Sequence, residues 1–379
     1  MMICIPYLIL VIILFCLYTL EKNPIYEGLK KRIIILAYFI LLIFIGLRGH
    51  IMSDFITYYP FYENLPNIVN IEKFDFTKYP FEPGFVMYSS LVKTLFDNYF
   101  IWIFVNTLID SLVFAYVFRR YCKSMILPLI FFVVFNGIIF EFNLYRNVKA
   151  IDCFLLSIQY VLNKKLYKYI CLNLIGFLFH TSALIYLPLY FIINLHFSNV
   201  VILSLFIVSN IIFLFNISVI NNAIENIQFL QVLQFYDKIN QYSNSAETYK
   251  FSIGYFERTF AFVLFFYYRN KLIKQHKSNN LFFNCFLFYY FSFLIFFEVK
   301  VFVERVPNLF IFSYWILYPN LLLLNIKNRQ IISIVVGLIC LLKVYAGYSG
   351  PAEKYENILI TKPDYNYSRN VYETVSLNR

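Results

Sequence analysis

The residues able to do chemistry in this 379-residue sequence fall into a few short stretches. The first, Arg48-Gly49-His50-Ile51-Met52-Ser53-Asp54, is followed closely by Tyr58 and Tyr59, and then by Phe81-Glu82-Pro83-Gly84-Phe85. Glu141-Phe142-Asn143-Leu144-Tyr145-Arg146 precedes an apolar helix that carries Lys149 and Asp152. His180 stands in an apolar run with Thr181 and Ser182 behind it. Two acid–arginine pairs, Glu257-Arg258 and Glu304-Arg305, each open a helix. Arginines grouped with carboxylates suggest a site for a polyanion, because a planar, permanently charged guanidinium matches phosphate oxygens two at a time. Carboxylates beside it supply a general base. Each residue also has a plainer reading: a salt bridge between Arg48 and Asp54 at the root of a loop, an Arg146 that snorkels, a His180 that packs between helices, and mutually neutralised helix ends at 257–258 and 304–305. Asn106 and Asp110, four apart on one helix face, are placed to bond a neighbouring helix.

The elements that carry these residues are membrane helices. Hydrophobic residues make up 61% of the chain and charged ones 14%, against roughly 25% charged in a soluble domain. The apolar residues come in blocks, among them Ile3–Leu20, Ile33–Leu47, Ile101–Phe118, Val200–Phe215, Leu281–Phe297 and Ile331–Leu342. A span of the roughly 30 Å hydrocarbon core needs about 20 helical residues. The blocks are apolar on every face and lack the alternation of a barrel strand, so the expected class is all-α: a polytopic membrane bundle of about 10–11 segments. The first block lacks a basic leader and reads as a retained helix. Half of the 32 Lys and Arg residues lie in five short connections, 21–32, 119–123, 163–168, 269–277 and 327–329, with only Glu21 and Glu27 of the 21 acids. Those connections are expected in the cytoplasm, which leaves two long external loops, about 48–82 and 216–250, and both termini outside. Residues 1–347 then form the membrane domain and 348–379 an external tail rich in Tyr and Asn. Tyr169–Asn194 is long for one span and short for two, and reads as a broken or re-entrant hairpin interrupted at 179–182 and at Pro188. Phe85–Phe96, which carries Lys93, mixes apolar and polar residues as an interfacial helix does.

Composition narrows the function further. A net charge of +11 is explained by topology, and without a basic, aromatic-laced soluble module no nucleic-acid partner is expected. Seven cysteines scattered through apolar runs read as small hydrophobes, and neither a metal cluster nor a cofactor motif is visible.

The motifs together resemble the EpsG-like branch of Wzy-type polysaccharide polymerases: the Arg48…Asp54…Tyr58 stretch, Glu82-Pro83-Gly84-Phe85, Arg146 opening a helix before a Lys-rich loop, Phe179-His180-Thr181-Ser182-Ala183, and Arg305 after a short turn. Asn147 departs from the pattern, where Gln would follow the Arg. The resemblance implies an inverting glycosyltransferase of the bacterial inner membrane that joins undecaprenyl-diphosphate-linked repeat units of O-antigen, capsule or exopolysaccharide on the external face. It needs no cofactor, and its partners are lipid-linked glycan donor and acceptor, membrane lipid and a chain-length regulator. Arg48, Arg146, Arg258 and Arg305 are the candidate diphosphate and glycan ligands; Asp54, Glu82 and His180 are the candidate catalytic residues. The competing readings are a flippase or transporter of the lipid-linked unit, which visible inverted repeats would favour, and a ligase that moves finished glycan to a lipid acceptor.

Overall fold

The computed structural model describes residues 3–69, 76–217 and 252–377; the sequence's second long loop, 216–250, falls almost wholly outside them. Among the described residues every regular element is helical, and one isolated antiparallel bridge joins Arg48 to Asn357. In chain order the helices are α1 (Ile5–Lys22), α2 (Lys30–Gly46), α3 (Phe55–Glu63), α4 (Pro83–Leu95), α5 (Tyr99–Tyr121), α6 (Leu127–Val134), α7 (Gly137–Asn143), α8 (Tyr145–Leu162), α9 (Leu166–Phe179), α10 (Leu189–Ile192), α11 (Asn199–Leu214), α12 (Ile253–Gln275), α13 (Asn279–Ile295), α14 (Lys300–Arg305), α15 (Phe312–Leu322), α16 (Arg329–Tyr348) and α17 (Tyr365–Leu377). Each apolar block read from the sequence lies on one of them. By length and apolarity α1, α5 and α16 suffice to cross a bilayer. The other apolar stretches make shorter helices, including α9, α11 and α13. The breaks have local causes. Asn136 adopts φ 61°, a left-handed conformation that Asn tolerates, and separates α6 from α7. His180 is extended and ends α9, residues 181–186 form a 3-10 turn, and a second break falls at 187–188. Both interruptions expected in 169–194 are therefore present.

The chain forms two compact units: Met1–Tyr190 with Tyr318–Arg379, and Phe191–Leu317. In the first, the two ends differ in charge. At one end Lys22 feels the fields of Glu21, Lys30, Lys123 and Arg329, and the buried Glu21 carboxylate accepts from Ser124 Oγ at 2.5 Å and Met125 N at 2.9 Å, clasping α1 to the turn after α5. At the other end, 48–68 meets the 348–377 segment: Gly49 N donates to Glu356 O, Met52 N to Ala352 O and Ile358 N to Leu47 O. Tyr365 stacks on Tyr59, with ring centroids 4.6 Å apart. The tail thus packs on the first long loop. α4 is too short to span, about 20 Å at 1.5 Å per residue. Lys93, expected in an interface, is buried and donates to the Tyr62 and Glu63 carbonyls at 2.7 Å each, completing the end of α3.

The second unit gathers α11 to α14. Asn284 Nδ2 donates to the Ile193 and Leu195 carbonyls at 2.8 Å each, and Arg269 Nη1 to Phe197 O at 2.8 Å. Tyr255, Asn210, Tyr290 and Thr259 form a hydrogen-bonded chain through its interior. Of the seven cysteines, Cys4, Cys285 and Cys340 are buried, whereas Cys16 faces outward from α1 and is no core residue.

Candidate functional site

Four separate pieces of the first unit converge on Arg146. α8 begins at Tyr145, so Arg146 stands in its first turn. Its Nη1 donates to Glu82 Oε2 at 2.5 Å, its Nε to the Tyr58 phenol at 3.1 Å, and its guanidinium lies 4.6 Å from the centre of the Phe81 ring. The pair is partly open to solvent, with side chains 22% and 15% exposed. Glu82 keeps its other oxygen for the backbone: Oε1 accepts from Thr181 N at 3.1 Å. Its position depends on the residues after it. Pro83 opens α4, where its fixed φ suits the first turn, and Gly84 lets α4 approach α9. A Cβ at Gly84 would stand 2.6 Å from Leu178 Cβ and 2.7 Å from the Leu178 carbonyl oxygen, so any side chain would push α4 away.

His180 closes α9 beside this pair. Its Nδ1 accepts from Ser182 N at 3.1 Å and lies 2.7 Å from Ser182 Oγ. A backbone N–H only donates, so Nδ1 carries no proton and Nε2 is the N–H nitrogen of the neutral ring. Ser182 Oγ also reaches Asn147 Oδ1 at 3.4 Å, linking the His180 turn to the residue after Arg146. Tyr58 comes from α3, and burial pushes its phenol up while Arg146 opposes the shift, so it meets Arg146 as a neutral hydroxyl.

Asp54 sits just before α3. Its carboxylate accepts from Ser53 Oγ at 3.2 Å and its carbonyl from Thr57 N and Tyr58 N, while Ser53 N and Asp54 N donate to Asn143 Oδ1 at 3.1 and 3.4 Å. Asp54 therefore fixes the start of the helix that delivers Tyr58. Arg48 is turned elsewhere: it is 2% exposed and donates to Ile45 O at 2.8 Å and Glu141 O at 2.6 Å, with its guanidinium over Phe142 and Tyr145. It ties α2 to α7. In the second unit Arg258 Nη1 donates to Gly254 O at 2.9 Å and its guanidinium lies 4.1 Å from the Phe293 ring centre, whereas Arg305, at the end of α14, is exposed. Of the seven candidates, the structure brings Glu82, Arg146 and His180 together, with Asp54 supporting Tyr58.

One turn deeper along α8, Lys149 Nζ donates to Asp110 and, at 3.0 Å, to Asn106 O; all three residues are buried. This is the neighbouring-helix bond expected of Asp110, whereas the Asn106 side chain donates to Trp102 O of its own helix; the Lys149 contacts lock α8 to α5 one turn from Arg146. Sequence reading missed Asn143 and Phe81 as parts of the site; only an aromatic before Glu82 and an amide three residues before Arg146 signalled them. No group of three or more His, Cys, Asp or Glu residues among those described is arranged to hold a metal.

Comparison with known proteins agrees with the motifs. Neither the curated proteins nor the solved structures searched contain a match to the chain. A family model, described as the EpsG family, matches residues 31–359, a stretch that contains the whole Arg146 cluster. The chain belongs to the EpsG family, the family of Wzy-like polysaccharide polymerases and glycosyltransferases.

Proposed function

We propose that this membrane protein joins lipid-diphosphate-linked oligosaccharide repeat units on the outer face of the bacterial inner membrane, and that the Arg146–Glu82 cluster is where the bond is made. The observation that carries this reading is the meeting of a partly exposed guanidinium with a carboxylate and a phenol from two other segments, the carboxylate also held by the backbone N–H that follows His180. In the proposed reaction the hydroxyl of an acceptor sugar attacks the anomeric carbon of a donor glycan held on undecaprenyl diphosphate. The bond from that carbon to the diphosphate oxygen breaks with its electron pair, and the configuration inverts. Glu82 takes the hydroxyl proton. Arg146 neutralises the charge gathering on the leaving diphosphate, where a fixed guanidinium stabilises the transition state more than the ground state. Diphosphate competes with Glu82 for the guanidinium, so donor binding frees the carboxylate to face the acceptor. His180 offers Nε2–H as a donor, while Ser182 N–H occupies its Nδ1 lone pair, which favours Glu82 over His180 as the base. Arg48 and Arg258, engaged by carbonyls and rings, have structural roles in this reading.

Cells that lack the protein test it. Polymerisation is expected to stop at single, exported, lipid-linked repeat units, because their synthesis and flipping do not depend on it. Loss of the exported single unit identifies a flippase instead, and full-length chains that stay on the lipid carrier identify a ligase.

A further inference from the structure

The end of the first unit that carries the Arg146 cluster also holds a cavity of about 60 Å³, walled by the first long loop and the C-terminal segment. That volume admits several water molecules. Its walls mix ring faces, from His50, Phe55, Tyr367 and Tyr372, with two opposite charges, Lys354 and Glu356. His50 is 6% exposed and its Nδ1 has no hydrogen-bond partner. Burial holds that imidazole down at about 4, with Asp364 opposing, so the ring is neutral near pH 7. Tyr367 is 63% exposed. The balanced charges disfavour a phosphate, and the Lys354 and Glu356 charges set in an otherwise mainly apolar wall disfavour an acyl chain. What fits is a hydroxylated ring with one apolar face: it stacks on an aromatic side chain and spreads its hydroxyls to phenol, ammonium and carboxylate.

We propose that this cavity binds one uncharged sugar residue of the glycan, next to the residue whose bond is made at Arg146. The position supports this as well as the chemistry. Phe55, a wall of the cavity, and Tyr58, the partner of Arg146, are three residues apart on α3, so their Cβ atoms are about 5–6 Å apart. The cavity and the cluster therefore share α3, through side chains one helical turn apart. The inference rests on the glycan reading of the Arg146 cluster. It adds a subsite that recognises the repeat unit itself and is independent of the lipid diphosphate.

The experiment measures binding of the free, lipid-less oligosaccharide repeat unit, released from the cell's own polysaccharide, to the full-length protein in nanodiscs by calorimetry. Wild-type protein and a Gly28→Ala control, whose Cβ meets nothing, are expected to bind it equally, and Tyr367→Ala at least fivefold more weakly. Tyr367→Phe, which keeps the ring, is expected to retain most of the affinity. Tyr367 is exposed, so its truncation leaves the packing under α17 in place, and an unchanged melting temperature checks this. Ala352→Leu, which adds bulk at another lining position of the cavity, is also expected to weaken binding at least fivefold. Absence of binding by the wild type, or wild-type affinity in both Tyr367→Ala and Ala352→Leu, overturns the proposal. Failure of the polymerase reading registers separately, as normal chain growth by Arg146→Lys in cells.

Discussion

At the scale of single residues, a guanidinium free to meet a ligand differs from one that holds the fold in what its donors reach. Arg48 and Arg146 look alike in sequence, each beside a motif with a carboxylate and aromatics. The first is 2% exposed and its donors end on main-chain carbonyls and the Thr107 hydroxyl, while the second meets a carboxylate and a phenol at a partly open surface. Lys in place of Arg146 keeps the charge and loses the fork. Arg146→Lys is therefore expected to cut polymer formation at least tenfold at equal membrane levels, read as the chain-length ladder per unit of inserted protein. A ladder close to wild type would return Arg146 to the role of a snorkelling anchor. The sequence was informative here for Glu82, Arg146 and His180, whose residue types are costly near a membrane and so conspicuous. It could not separate Arg48 from Arg146, because burial depends on what α5 and α7 place around each one.

At the scale of elements, the site is assembled by close helix approach. α4 and α9 meet at Gly84, α8 and α5 through Lys149 and Asp110, and α3 is started by Asp54 against Asn143. Gly84→Ala is the sharpest test of this assembly, since the new methyl would overlap the Leu178 backbone. It should draw Glu82 from Thr181 and Arg146 and lower activity at least tenfold while the protein still inserts. Full activity in Gly84→Ala, measured beside a Gly28→Ala control whose Cβ meets nothing, would refute the claim that this contact sets the carboxylate. The apolar blocks made the helices themselves legible, and the polar run at 179–182 marked the break in α9. The role of Lys93 was not legible, because its partners are carbonyls at the end of another helix, thirty residues back in sequence. The convergence of 58, 82, 146 and 181 was equally hidden, since no local pattern encodes which helix ends share a corner.

At the scale of the whole molecule, charge and chemistry separate to opposite ends of the first unit. Lys22, Lys30, Lys123 and Arg329 gather at one end, while the Arg146 cluster and the C-terminal segment share the other. The positive-inside tendency then predicts a cytoplasmic basic end and an outward-facing site. Single cysteines at Asn67 and Ser368, in a background without the seven native ones, should react with an impermeant maleimide in intact cells, and one at Lys165 only after the membrane is opened. The reverse pattern would invert the topology and remove the site from the side where the proposed reaction occurs. The central claim, that Glu82 and Arg146 perform glycosyl transfer from a lipid diphosphate, is tested most directly with purified protein and a lipid-diphosphate-linked repeat unit. Removal of a general base costs about a hundred-fold to ten-thousand-fold in rate. The account predicts that Glu82→Gln, folded and still binding donor, loses polymerisation by at least a hundred-fold; a rate within a few-fold of wild type would contradict it.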